Sequence, residues 1–297
     1  MKKYSVIFGS VLIILLLLTA VASADGTETL GDPSIAIASG NGIVVAGTGL
    51  ETQPGTIDIN VPAGATINQV LLYWSGAVTS DAPSDDTIEL DGTPVTGALI
   101  GGQAYFFSKG GKDLFSSNYR ADITNLGLVS VGANSIAVTG MDNIDADGLG
   151  RNSGAGIMVI YDDGTSTISE IVLKDGLDLA FIDFPEPRKN TIPQTYTFAA
   201  SQSERTANLS IFASSVQENR PNTIVLDSNN GDIPDVYDAL ANLDGARWDS
   251  ITLPVVIPAG ATELTVELVS GSPSPGEPAS LNWVGGGLSV PILGSIG

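Results

Sequence analysis

Past residue 25 the chain nowhere sustains helical spacing of its apolar residues; they come in short alternating runs cut by Gly, Pro, Asn and Asp. A period of two puts successive side chains on opposite faces of an extended backbone, so such runs bury one face only as strands. Frequent turn residues fold those strands back on one another. The expectation is an all-β protein of one or two jelly-roll or immunoglobulin-like β-sandwiches. In Thr56-Ile57-Asp58-Ile59-Asn60-Val61 the isoleucines face a core and Asp58 and Asn60 face water. Val70-Leu71-Leu72-Tyr73-Trp74 is apolar on both faces, which predicts a strand in the middle of a sheet covered on both sides. The same reasoning predicts strands over 87–90, 135–138, 156–161, 168–173, 195–199, 207–212, 224–226, 251–257, 263–269 and 281–290.

Punctuation supplies the organisation. Ile35 to Ser39 and Ile43 to Ala46 flank Gly40-Asn41-Gly42 and read as a hairpin, since Asn-Gly supplies the positive φ of tight turns. Val61-Pro62-Ala63-Gly64-Ala65-Thr66 returns as Ile257-Pro258-Ala259-Gly260-Ala261-Thr262, a Pro-Gly corner between an incoming and an outgoing strand. One short helix is expected near 235–243, with Asp232 or Asp235 at its start and Gly245 past its end. The proline-rich stretch from Phe184 to Asn190 is the boundary candidate, because proline donates nothing to a ladder. The expected division is 1–24 signal peptide, 25–184 first sandwich and 185–297 second sandwich.

The first 24 residues carry the export reading. Lys2 and Lys3 precede an apolar run from Val6 to Leu18, and Ala22-Ser23-Ala24 offers the small residues of a cleavage site. An uncleaved anchor is the other reading of this stretch. Residues 281–297 carry neither a long apolar tail nor a basic stop, so the expectation is an extracellular or cell-surface protein with no membrane insertion after cleavage. Loss of Lys2 and Lys3 leaves ten basic residues against 33 acidic ones, a net charge of −23. Such a field argues against nucleic acid as a partner, and against anionic lipid or anionic polysaccharide unless divalent cations intervene. The chain has no histidine and no cysteine, which removes imidazole bases, thiol nucleophiles and disulfides, and leaves core burial to hold the fold.

Several phrases together resemble a family of uncharacterised prokaryotic exported or cell-surface β-sandwich domains. They are Val70 to Gly76, Tyr119 to Thr124, Gly154 to Asp163, Leu243 to Asp249 and Leu281 to Val284. The resemblance implies a surface protein without assigned chemistry and carries no functional residue across. Asp122-Ile123-Thr124, followed by Gly132-Ala133-Asn134-Ser135-Ile136, is weakly similar to jelly-roll carbohydrate-associated domains, in which the phrase is architectural.

With histidine and cysteine absent, chemistry falls to carboxylates, amides and aromatics. Calcium is the candidate cofactor. Asp142, Asn143, Asp145 and Asp147, with Gly148, give the oxygen spacing of a calcium loop but lack the closing glutamate, since Gly154 stands there. Asp227, Asn229, Asp232 and Asp235 form a second Asp-rich loop; a solvated turn explains either loop as well. A carboxylate-only glycosidase or lyase needs only two acids, and Asp85, Asp86, Glu89, Asp91, Glu263 and Glu267 are clustered acids that solvation also explains. Trp74, Trp248 and Trp283 sit beside apolar strand residues and read as core anchors. Tyr105, Phe106 and Phe107, before Ser108-Lys109-Gly110-Gly111-Lys112, read as an exposed loop that contacts a ligand or partner. The function expected is a non-catalytic structural or adhesion protein of the cell surface or extracellular matrix, stabilised by calcium. Its partner would be a surface or matrix protein, a polysaccharide or a second copy. The alternatives are a carbohydrate-binding module and the carboxylate-only enzyme.

Overall fold

Val70, Leu72 and Trp74 enter one apolar core while Leu71 and Tyr73, between them, enter another. That two-faced strand is the key to the architecture seen in the computed structural model, which describes residues 28–79, 82–144, 148–165, 168–186 and 188–292. The signal peptide expected over 1–24 lies outside the described residues. The strands run β1 (Leu30–Gly31), β2 (Gly42–Gly49), β3 (Gly55–Val61), β4 (Thr66–Val78), β5 (Thr87–Leu90), β6 (Thr93–Thr96), β7 (Ala98–Lys109), β8 (Lys112–Asp122) and β9 (Gly132–Thr139). They continue with β10 (Arg151–Asp162), β11 (Ile168–Ala180), β12 (Gln194–Thr197), β13 (Arg205–Ser214), β14 (Asn222–Ser228), β15 (Val236–Tyr237), β16 (Trp248–Ile257), β17 (Glu263–Ser270) and β18 (Leu281–Ile292). Among the described residues the only helical turn is the 3-10 segment Thr124–Leu126.

The strands form four antiparallel sheets. One sandwich pairs β3-β9-β5-β6 with β2-β10-β4-β8-β7, and the other pairs β12-β17-β14-β15 with β1-β11-β18-β13-β16. The all-β class and the sandwich layers are therefore as the alternation predicts. The two five-stranded sheets also face each other, and their contact forms a third core from Leu71, Tyr73, Met158 and Ile160 on one side and Leu173, Phe212, Trp248 and Val284 on the other. Each tryptophan anchors a different core: Trp74 the first sandwich, Trp283 the second and Trp248 the joint. All three are fully buried, as their apolar neighbours predict.

The joint is shaped by glycines on β2 and β10. A Cβ on Gly47 would lie 2.2 Å from Trp248 Nε1, and one on Gly156 would lie 2.6 Å from Phe212 Cε1. Only glycine lets the indole and phenyl rings seat on the opposing backbone. Buried polar groups cross the same interface. Asn282 Nδ2 donates to Asn118 Oδ1 (2.9 Å) and Ser75 Oγ (3.1 Å), and Ser214 Oγ donates to Ser75 Oγ (3.0 Å). Arg120 on β8 pairs with Asp175 on β11, which also accepts from Tyr73 Oη at 3.2 Å. Each group left unpaired here would cost about 1–3 kcal/mol, so the network fixes the register of one sandwich on the other.

The Pro-Gly corners are the same turn twice. Ala65 N–H donates to Pro62 O at 3.2 Å and Ala261 N–H to Pro258 O at 3.2 Å, with Gly64 and Gly260 both at φ 81°. Each corner carries the chain between the outer and the inner sheet of its sandwich.

Three local expectations are corrected. Residues 235–243 form no helix. Val236 and Tyr237 pair with β14, Asp238 and Asn242 take positive φ, and the Asp235 carboxylate accepts from Leu226 N–H at 3.3 Å. Short polar side chains bonded to the backbone in this way compete with a helix. Ile35 to Ser39 form no hairpin with Ile43 to Ala46. β2 instead pairs with β10, while the backbone of Ala36 and Ala38 bonds the Gln69 amide. Finally, β1 already belongs to the second sandwich, and the chain returns there from the first before residue 184. β11 pairs along its length with β18, from Ile168↔Ile292 to Ala180↔Leu281, so the proline-rich stretch lies inside the second sandwich.

A candidate site at the joint of the two sandwiches

The residues predicted to contact a partner lie on a strand, not in an exposed loop. Tyr105, Phe106 and Phe107 belong to β7, and Phe106 is 3% exposed against Leu177 and Leu179 of β11. Apolar alternation in β7 drives Phe106 inward, and its neighbours Tyr105 and Phe107 are half-buried. Phe106 and Phe107 line a cleft of about 220 Å³ together with Phe181 and Phe184 after β11, and Phe106 meets Phe184 edge to face with centroids 6.3 Å apart.

Arginines complete the cleft. Arg151 opens β10, Arg220 precedes β14 and Arg247 precedes β16, and all three line it. Arg188 stands beside them, 5.3 Å over both the Tyr105 and Phe184 rings, and Arg151 lies 5.4 Å over Phe107. Stacking holds a guanidinium plane by cation–π attraction while its edge N–H groups remain free to donate. Two carboxylates answer the three lining cations. Glu51 pairs with Arg247 and reaches Arg151 Nη1 at 3.9 Å, and Glu277 pairs with Arg220 at 2.9 Å. Burial, and then repulsion from Arg247, hold the Arg151 guanidinium below the usual arginine range despite Glu51. Arg151 Nε is buried without an acceptor.

Backbone strain gathers at the same end of the molecule. Among the described residues six that are not glycine take positive φ, and five of them are Ser215, Asn219, Asp238, Asn242 and Arg247. Ser215 and Arg247 both line the cleft, and Ser215 N–H donates to Arg247 O at 3.0 Å. Such conformations cost on the order of 1–3 kcal/mol each and persist where the surroundings over-determine them, as at ligand sites. Arg220 also borders a second hollow of about 320 Å³ with Asn219 and Asp238.

The calcium candidates are placed differently. Asp145 and Asp147 lie outside the described residues. Asn143 is buried, its Oδ1 accepting from Asp85 N–H at 2.6 Å and its Nδ2 donating to Asn152 Oδ1 at 3.2 Å, while Asp142 N–H donates to Asp85 Oδ2 at 2.9 Å. In the second loop, Asn229 is bonded through both amide atoms to Thr262, Asp235 holds Leu226 N–H, and Asp227 and Asp232 are exposed. No group of three or more Asp or Glu suited to a metal occurs among the described residues.

The acids with strongly raised pKa values are elsewhere again. Burial pushes Asp178 up to about 8 and Asp249 up to about 6. Asp178 accepts from Ile192 N–H at 2.8 Å, and Asp249 accepts from the N–H groups of Asn242 and Leu243. Both brace backbone, and neither lines the cleft. The clustered acids do similar work: Asp85 bonds Thr87 N–H and Asp91 bonds Ala137 N–H.

The sequence reading missed Arg151, Arg220 and Arg247. The signal that finds them is scarcity, since the chain has six arginines and three meet at one cleft.

Residues 35–254 match the family described as Protein of unknown function (DUF3344). The chain belongs to the DUF3344 family. The matched stretch runs from before β2 into β16, so the DUF3344 region takes strands from both sandwiches and the joint between them. No curated protein matches the sequence. Among solved structures, the cycloalternan-forming enzyme from Listeria monocytogenes in complex with pentasaccharide substrate is 12% identical at a TM-score of 0.25, over 79% of this chain and 19% of that one. The DUF3344 chain thus spans about a fifth of that enzyme. The ANX1 ectodomain from Arabidopsis thaliana is 11% identical at a TM-score of 0.27, over 90% of this chain and 95% of its own. At such TM-scores neither likeness bears on function.

Proposed function

We propose that this protein is an exported, non-catalytic scaffold of the cell surface or extracellular matrix, with a structural or adhesive role. The observation that carries the reading is the joint. Two sandwiches are locked by a shared apolar core and a buried polar network into a four-layer stack. A stack braced in this way holds loops and edges at fixed distances for a neighbour to grip. Its most perturbed acids brace backbone, which favours a scaffold over a carboxylate-only enzyme. Antibody labelling of intact cells, with N-terminal sequencing of the mature chain, tests the location. Surface label and a start at Asp25 are expected, and a protein found only inside the cell refutes the reading. Turnover of any glycan in a panel, abolished by one Asp or Glu change that leaves the fold intact, would replace it with the enzyme.

Calcium belongs to the reading as a stabiliser of the loop 142–147. Saturating calcium should raise the melting temperature relative to chelator, because a ligand of the native state alone at a hundred times its Kd adds about 2.7 kcal/mol. A melting curve identical in calcium and in chelator removes the metal and leaves the scaffold.

A further inference from the structure

We propose that the cleft between the sandwiches binds the carboxylate of an acidic sugar, one hexuronate residue of a polysaccharide. The inference rests on the scaffold reading only for placing that polysaccharide outside the cell. In a chain so acidic, three cations around one hollow are an exception. Arg151 and Arg247 share the single carboxylate of Glu51, which grips Arg247 and only approaches Arg151. The site is thus short of one negative charge, since the carboxylates of Glu51 and Glu277 face three guanidinium groups. A planar carboxylate supplies that charge, because its two oxygens match the fork of a guanidinium's N–H groups. The Phe107 ring beneath Arg151 holds that fork in place before any ligand arrives.

The remaining walls favour a sugar over an acidic peptide. Phe106 and Phe181 offer apolar surface, while Ser215, Gln217 and Glu277 offer both acceptors and donors. A pyranose needs that mixture, having apolar C–H faces and hydroxyls that both give and take hydrogen bonds. A bare side-chain carboxylate needs only donors. A volume of about 220 Å³ suits one ring and is too small for a folded segment.

Isothermal titration calorimetry of the mature chain with sodium D-glucuronate, sodium D-galacturonate, D-glucose and sodium sulfate tests the site. Saturable heat is expected from at least one uronate and none from glucose. Arg151→Gln should weaken uronate binding about tenfold to a hundredfold, the worth of a hydrogen bond to a charged group. Arg151→Lys, which keeps the charge and loses the fork, should fall between, and Lys174→Gln, outside the cleft, should bind as wild type. Thermal melts establish that each variant is folded. No saturable heat from either uronate, equal heat from glucose, sulfate binding as tight as uronate, or wild-type affinity in Arg151→Gln would each overturn the proposal. Uronate binding by a protein found only inside the cell would refute the scaffold's location and leave the site; surface label without uronate binding would do the reverse.

Discussion

Replacing Asp178 with Asn should stabilise the protein at neutral and alkaline pH and remove a large part of its alkaline sensitivity. Asp178 is 2% exposed, and burial, reinforced by the charges of Glu28 and Glu267, pushes its pKa up to about 8 despite the bond from Ile192 N–H. In the unfolded chain it titrates near 3.8. A raised folded pKa means that the carboxyl's contribution is complete below about pH 3.8 and is lost as pH rises through about 8. Each pKa unit between the two states is worth about 1.4 kcal/mol, so keeping this acid neutral in the fold at pH 7 costs on the order of 4 kcal/mol. Asparagine keeps an oxygen for Ile192 N–H and cannot ionise. Denaturant unfolding of both proteins at pH 4, 7 and 9 checks the point through their difference, which cancels the other titrating groups. The expected gain is small at pH 4 and several kcal/mol at pH 9; a gain equal at all three values, or a loss at pH 9, contradicts it.

Replacing Trp248 with Ala should be the most damaging single change at the joint, about 3–5 kcal/mol. Trp248 packs 5.8 Å from Phe212 between centroids and fills the hollow left by Gly47 and Gly154, with no exposed surface. Gly47→Ala should cost the wild type about 1–3 kcal/mol through overpacking, because the new methyl meets the indole nitrogen. In Trp248→Ala only Ser250 Oγ, 2.3 Å away, still opposes that methyl, so it should cost less, and a double-mutant cycle reads the ring contact. Additive losses would mean that the glycine serves its own strand and not the ring. The cleft shares this joint, since Arg247 immediately precedes the tryptophan. Small-angle scattering of Trp248→Ala should accordingly show a looser arrangement of the two sandwiches.

Much of this architecture was legible in the sequence because it depends on local pattern. The apolar run Val70 to Trp74 announced a strand covered on both faces, and the paired Pro-Gly corners announced the same turn at two places. The burial of Trp74, Trp248 and Trp283 followed from their apolar neighbours. Readings failed where a side chain's distant partner decided the outcome. Asp235 looks like a helix start, with Asp238 and Asn242 inside the helix, until the first two are seen bonded to the strand before them and the last two at positive φ. Phe106 beside a glycine turn looks exposed until Leu177 and Leu179 cover it. Asn41 looks like a hairpin turn, yet its side chain bonds Asp162, Asp163 and Thr165 across the sheet.

The sequence by itself determined an acidic all-β chain without histidine or cysteine, built from strands and corners, because composition and period-two alternation are properties of neighbours along the chain. Only the tertiary structure decided that β1 joins the second sandwich and the chain returns there before β11, that a third core joins the two, and that Phe107, Arg151, Arg220 and Arg247 meet. Those residues are scattered over more than a hundred positions, and what brings them together is the packing of two sheet faces through glycine and tryptophan, which no local pattern encodes.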